Sequence, residues 1–468
     1  MKKYIIVGAL FLFAPFTMVA KEDAQKKAAL IDSMFSSLYD EGLFNGNVLL
    51  AERGQVVLSK SYGYADEVTK RKLNEQSVFE LASCSKQFTA AAIALLQQQG
   101  KLSYDDPLSK WIPALQVYKG VTIRHLLQHT SGLPDYMELL DTVWDHKKIA
   151  SNKDMIDMFA RYHPEPEFAA GTKFEYSNTG YALLASVIEA ASGKSYDAFL
   201  QEKIFIPLGM KSSLVYTRRY APRKIDNYAY GYVFSSALQK KALPDSLPEF
   251  DRVYWLDGIK GDGTVNSTVT DLLKWDRAWY TDGLLSAASK KLVFAGNRLP
   301  DGSETQYSFG WMLKKDSLMG RIAAHSGGWP GYMTYIERHI DKDKTIIVLQ
   351  NTDHAKLPVK EIRSILYGQE LKPAIVRKEV EVAAETLEAY VGEYELSPSF
   401  TLTVSMADGK LFCQATGQSR FPIYAESQTR FFLKAVEAQI DFLKEENGQT
   451  NKLILHQGGR DMPAPRIK

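Results

Sequence analysis

Apolar positions recur at two different periods along this chain of 468 residues. From Gln25 to Tyr39, and again through Phe88, Ala91, Ala92, Leu95 and Leu96, they fall at helical spacing, and Gly100 closes the second helix. Between these stretches, Asn47 to Ala51 and Gln55 to Ser59 read as short strands joined across Glu52, Arg53 and Gly54, a hairpin signal. A third extended piece, Ser61 to Ala65, follows. From Leu81 to about Gly320 the pattern is mostly helical and loop-rich. Strands return at Arg321 to Gly328, Tyr332 to Arg338 and Thr345 to Gln350, with Asp341 to Lys344 as the turn between the last two, and a helix over Pro358 to Tyr367 closes the unit. Strands at both ends with helices between them predict an α+β fold, an antiparallel sheet flanked by helices with a helical region inserted into it. The cleft of such a unit lies between sheet and helices.

After Pro373 the character changes. Tyr390 to Glu395, Phe400 to Val404, Leu411 to Gln414, Phe421 to Tyr424, Arg430 to Leu433, Gln439 to Leu443 and Leu453 to His456 are short alternating strands. Seven of them in succession predict a small all-β barrel or sandwich. The expected organisation is a leader over 1–20, a main domain over 21–372, a linker over 373–379 and the β domain over 380–468.

The leader rests on Lys2 and Lys3, the uncharged apolar run from Tyr4 to Ala20, and the polar Lys21-Glu22-Asp23 beyond it. This reads as a secretory signal peptide cleaved after Ala20, which makes the mature protein secreted or periplasmic with no stable membrane span. The competing reading is an uncleaved anchor, since the run is close to the lower limit for spanning a bilayer. Lys2 and Lys3 also account for the formal charge of +2, so the rest of the chain is balanced. No overall field draws it to nucleic acid, and its partners must be sought in a site. Cys84 and Cys413 are too few for a disulfide framework and read as buried thiols.

Three short segments carry chemistry. Ser83 and Lys86 stand three apart at the start of the Phe88 helix, on one face of its first turn, where hydroxyl and amine can touch. Burial and the positive end of the helix dipole both push a lysine there toward the neutral form that a base requires. Tyr176-Ser177-Asn178 precedes another helical stretch, and its phenol can relay a proton while its amide holds a carbonyl. His325-Ser326-Gly327-Gly328 lies on a strand where glycines let another backbone approach. The bland alternative is a helix cap at Ser83 followed by a solvated lysine. His125 and His129 are four apart, but Leu126 stands where a metalloprotease needs its Glu, so no metal is expected and the two imidazoles read as structural hydrogen-bonding groups. No cofactor is expected.

In this order, Ser-x-x-Lys, Tyr-x-Asn and His-x-Gly resemble the three motifs of the serine β-lactamase and penicillin-binding protein superfamily, in its class C-like branch. The blocks His125 to Leu133, Gly261-Asp262-Gly263 with Ser267-Thr268, and His325 to Gly331 match as well, so the resemblance covers about residues 28 to 370. It implies an acyl-enzyme at Ser83, with Lys86 and Tyr176 sharing the acid and base work. It also implies substrate binding by Asn178, His325, Ser326 and Gly327, and an oxyanion hole from the N–H groups of Ser83 and Gly328. Many β-lactamases carry Lys where His325 stands, and a histidine lacks that full charge. The implied activity is therefore that of a peptidase, amidase or esterase on small or peptide-like substrates such as cell-wall peptides, ahead of a β-lactamase or a catalytically silent sensor of β-lactams or wall fragments. The tail that opens Tyr390-Val391-Gly392-Glu393-Tyr394 resembles the lipocalin-like barrel appended to many of these hydrolases.

Overall fold

The computed structural model describes residues 14–468 apart from 236, 237, 239, 354, 371–376, 378, 398, 399, 408, 417–419, 435, 437, 445–449, 458 and 459, with side chains from residue 22 onward. Most of the leader assigned to 1–20 and of the linker assigned to 373–379 lies outside the described residues. The chain divides into two compact units between Gly368 and Gln369.

In the first unit a seven-stranded sheet runs Tyr307–Ser308, Trp311–Asp316, Gly320–Trp329, Tyr332–His339, Lys344–Gln350, Gly46–Glu52, Gln55–Tyr62. Every neighbouring pair is antiparallel. Gly46 sits opposite Gln350 and Val48 opposite Val348, so the two ends of the unit zip together and the intervening chain becomes the insertion. The runs Val48-Leu49-Leu50 and Ile346-Ile347-Val348-Leu349 are apolar at consecutive positions because both sheet faces are covered. On one face Val48, Leu50, Ile346 and Val348 pack with Ile31 and Phe35 of the helix Ala14–Asp40 and with Ile362 and Leu366 of the helix Val359–Leu366. On the other, Leu49, Ala51, Ile347 and Leu349 join the larger core with Phe88 and Trp275. Each fully buried aliphatic side chain of this kind contributes roughly 1.5–3 kcal/mol.

The helix Lys86–Gln98 runs through the middle of that core, with every residue from Lys86 to Leu96 buried. Its alanines let it pack closely against the helix Asn178–Ser192. Two expectations change. The extended piece Ser61 to Ala65 is broken at Gly63, where φ is +89° and a Cβ would meet Asn45 Oδ1 at 1.9 Å; Tyr64–Asp66 then pairs with Arg71–Lys72 in a separate ribbon. Trp311–Asp316, read as part of the loop-rich stretch, is a strand near the sheet edge in which Met312, Lys314 and Lys315 are exposed and the Met-Leu-Lys-Lys run shows no clean alternation of residue type.

The second unit is an eight-stranded antiparallel meander. Its first and last strands meet through the bridge Tyr394 to Arg466 and through Ile467 N–H donating to Glu393 O at 2.8 Å, which makes a nearly closed barrel. Tyr390 stacks on Phe442 with centroids 4.2 Å apart inside it. The eighth strand, Arg460–Pro465, escaped the pattern because Pro463 and Pro465 demote a run to non-strand. Cys84 and Cys413 are buried free thiols, as expected. Among the described residues no helix is long and apolar enough to cross a membrane.

Candidate active site

The short strand Phe79–Glu80 leads through Leu81 into a 3-10 turn over Ala82–Ser85 and then into the helix Lys86–Gln98. Ala82 has φ +47°, a left-handed conformation that costs a residue with a Cβ roughly 1–2 kcal/mol. The strand Gly320–Trp329 is pressed against this turn. A Cβ on Gly327 would lie 2.2 Å from Leu81 O and 3.2 Å from the Ala82 Cβ, so glycine is required for the approach. Between Leu81 and Leu96 only Ser83 is not buried.

Lys86 is completely buried one turn on. Its Nζ lies 3.1 Å from Ser83 Oγ, 2.9 Å from Asn178 Oδ1 and 2.9 Å from the backbone oxygen of Asp262. Asn178 opens its helix behind the N-cap Ser177, and its Nδ2 donates to Asp135 Oδ2 at 3.3 Å, which turns Oδ1 toward the lysine. Gly261, at φ +109°, lets the loop lie on that helix: a Cβ there would sit 2.4 Å from Tyr181 O. The Asp262 carbonyl is thereby aimed at Nζ. The Asp262 carboxylate is buried and accepts from the Tyr136 hydroxyl at 3.0 Å. Burial raises its pKa and the charge of Lys86 opposes the rise.

Tyr176 is held from both sides by His129, whose Nδ1 accepts the Ser177 N–H at 3.1 Å and whose carbonyl accepts the Glu175 N–H at 2.9 Å. The two rings lie 4.3 Å apart. Burial, and then the charge of Lys86, hold the His129 pKa well below its ordinary value, so the ring is a neutral acceptor. His125 accepts the Thr122 N–H in a helix capping box, so both imidazoles make structural hydrogen bonds. The Tyr176 ring centroid is 5.0 Å from Lys86 Nζ, and its phenol oxygen is buried without a hydrogen-bond partner among the described residues.

Ser83, Asn178 and Gly328 line one cavity of about 470 Å³, together with Asp262, Trp329 and Tyr332. The structure departs from the expectation for His325. Its ring is buried behind the strand, Nε2 lying 2.9 Å from the Tyr307 hydroxyl and Nδ1 2.6 Å from Ser326 O. Burial, and then Lys86, push its pKa down to about 3. Gly327 faces the Ser83 turn, and none of His325, Ser326 and Gly327 is among the residues lining the cavity, although Ser326 is exposed. The Cys84 thiol, pushed up to about 12 by burial, lies 3.2 Å from His325 O and is part of the same packing. Sequence reasoning missed the parts played by Asp262, Tyr136 and Asp135. Gly261-Asp262-Gly263 was visible as a block, but no local pattern reports a contact between residues 176 positions apart.

Residues 31–369 match the family described as Beta-lactamase. The chain belongs to the serine β-lactamase and penicillin-binding protein superfamily. It is 42% identical over 452 residues, 95% of this chain and 100% of the relative, to penicillin-binding protein 4* of Bacillus subtilis (strain 168). Its fold is that of the octameric penicillin-binding protein homologue from Pyrococcus abyssi, with a TM-score of 0.64 at 23% identity over 93% of this chain and 99% of the other. The D-amino acid amidase from Ochrobactrum anthropi SV3, complexed with L-phenylalanine amide, aligns with a TM-score of 0.58 at 25% identity over 74% of this chain and 95% of that one. Residues 376–464 match a family described as a domain of unknown function. Superfamily membership makes the chain a serine hydrolase of the penicillin-binding and β-lactamase type, with a small-molecule or peptide-like substrate.

Proposed function

We propose that this chain is an exported hydrolase that forms an acyl-Ser83 intermediate with peptide-like amides or esters, such as the D-Ala-D-Ala ends of cell-wall peptides. One observation carries the reading. Of the three oxygens around Lys86 Nζ, only Ser83 Oγ bears a proton. The other two are carbonyls that can only accept, so the amine donates an N–H to each, and Ser83 is the one neighbour of the three that can pass it a proton. Oγ then attacks the substrate carbonyl as its proton passes to the base. Lys86 and Tyr176 share that proton and return it to the leaving amine or alcohol. The N–H groups of Ser83 and Gly328 receive the oxyanion, Asn178 borders the substrate amide, and water repeats the sequence at the acyl-serine to release the acid.

Because His325 is neutral at pH 7, the cation for a substrate carboxylate must come from elsewhere in the cleft. Arg252 is exposed on the cavity wall with no hydrogen-bond or ion-pair partner among the described residues, and it is the guanidinium available. This arrangement, with the amidase among the structural relatives, supports peptide and ester substrates over efficient β-lactam turnover. The test offers the purified protein a D-Ala-D-Ala peptide, a short-chain ester, a chromogenic cephalosporin and a fluorescent penicillin, beside Ser83→Ala. Turnover of peptide or ester without cephalosporin turnover is expected. Rapid cephalosporin hydrolysis would make it a β-lactamase, labelling without turnover would make it a sensor, and activity surviving in Ser83→Ala would exclude the nucleophile.

A further inference from the structure

Glu80 lines the same cavity as Ser83 and is only partly exposed. Its carboxylate has no hydrogen-bond or ion-pair partner among the described residues. The charges that face it are Arg219, Asp257, Arg218 and Asp245, with the phenols of Tyr228 and Tyr332. Those cations are already committed. Arg219 donates from Nε and Nη2 to Asp245 at 2.6 and 3.0 Å, and from Nη1 to Asp257 at 3.0 Å, while Arg218 pairs with Asp245. Two guanidiniums and two carboxylates cancel, and Glu80 is left over. Burial pushes its pKa up to about 8, against the opposing pull of Arg219.

A carboxylate held partly out of water, with no direct ion pair and only the pull of guanidiniums already paired elsewhere, is unfavourable in itself. Where it faces a cleft beside a nucleophile, a ligand is the natural source of the missing charge. The surrounding wall has the character that an ammonium on an apolar arm requires, because Tyr216, Phe250, Trp329 and Tyr332 line the same cavity. We propose that Glu80 is a specificity residue whose carboxylate accepts hydrogen bonds from a protonated amine of the substrate, so that the cleft selects amine-bearing peptides and amides. The proposal rests on the reading of this cavity as the substrate site, but binding at Glu80 does not depend on acylation of Ser83.

The experiment therefore uses the full chain with Ser83→Ala and measures binding by calorimetry. The probes are a lysine-bearing D-Ala-D-Ala tripeptide with its amines free and the same peptide with its amines acetylated. The free-amine peptide is expected to bind about tenfold to a hundredfold more tightly, the range of a hydrogen-bonded charge pair. Adding the isosteric Glu80→Gln should abolish the difference. Titrations in two buffers of different ionisation enthalpy at pH 7.5 should also show protons released on binding, because an ammonium lowers the Glu80 pKa, and Glu80→Gln should remove that release. Equal affinities for the two peptides, no measurable binding of either at millimolar concentration, or a preference that survives Glu80→Gln would overturn the proposal. Failure of the catalytic reading looks different: unmodified protein never acylated by ester or penicillin while the amine preference persists.

Discussion

Replacing Lys86 with methionine separates its chemical part from its structural one. The side chains are similar in length, but Met cannot take a proton or bridge three oxygens. The Asp262 carbonyl and Asn178 Oδ1 would each lose a bond of 2.9 Å in a buried setting. Leaving a buried acceptor unmatched costs about 1–3 kcal/mol, so the two together cost about 2–6 kcal/mol. Removing a buried amine offsets part of this, since its desolvation no longer has to be met. The folded state should therefore weaken by a few kcal/mol, read as a lower urea midpoint with an unchanged slope. Acylation should fall further than that destabilisation explains. General base catalysis is worth roughly a hundredfold to ten-thousandfold, so single-turnover acylation by a chromogenic ester, under conditions where the variant is still folded, should drop within that range. An acylation rate within tenfold of the unmodified protein would refute the role assigned to the lysine, whatever the stability showed.

Two further outcomes test the scaffold behind the nucleophile. Gly327→Ala places a Cβ 2.2 Å from Leu81 O and 2.3 Å from Thr334 Oγ1, so the strand must retreat from the Ser83 turn. A loss of about 1–3 kcal/mol in thermal or urea unfolding, with slowed acylation, is expected. His325 has a folded pKa of about 3 against 6.5 for the free side chain, so the unfolded chain binds more protons between those values and stability falls as pH drops through that window. Between pH 6.5 and 4.5 this group should remove on the order of 2 kcal/mol, and His325→Gln should flatten the pH dependence of the urea midpoint by that amount.

Much of the fold was legible because its signals are local. The hairpin at residue 53 and the all-buried helix after Ser83 announce themselves through turn residues and spacing. Signals failed where a residue's state is decided by a partner far along the chain. Trp311–Asp316 is a strand because Gly320–Trp329 lies beside it, with Met312 opposite Ala324, and not because of its own composition. The prolines of Arg460–Pro465 are tolerated because that strand is the one that closes the barrel, where Pro463 faces Ile454.

The same distinction divides the site. Ser83 and Lys86 were found together because one helical turn joins them, and Asn178 was found because its motif stands at a helix start. What those motifs do to one another was not in the sequence. The Lys86 amine is satisfied by a backbone carbonyl that no residue type encodes, and it reaches that carbonyl only because Gly261 can press against Tyr181. His325 carried a motif position that suggested contact with substrate, yet the alternation of a strand sends residues 325 and 327 to one face and 326 and 328 to the other. With Gly327 pressed on the nucleophile turn, the histidine follows it inward against Tyr307 and Ser326, and burial there keeps it neutral. A motif names the strand that approaches the nucleophile; the pleat decides which of its residues the substrate meets. By that rule Gly328, with open space where a Cβ would stand, is the position of this motif that faces the cleft.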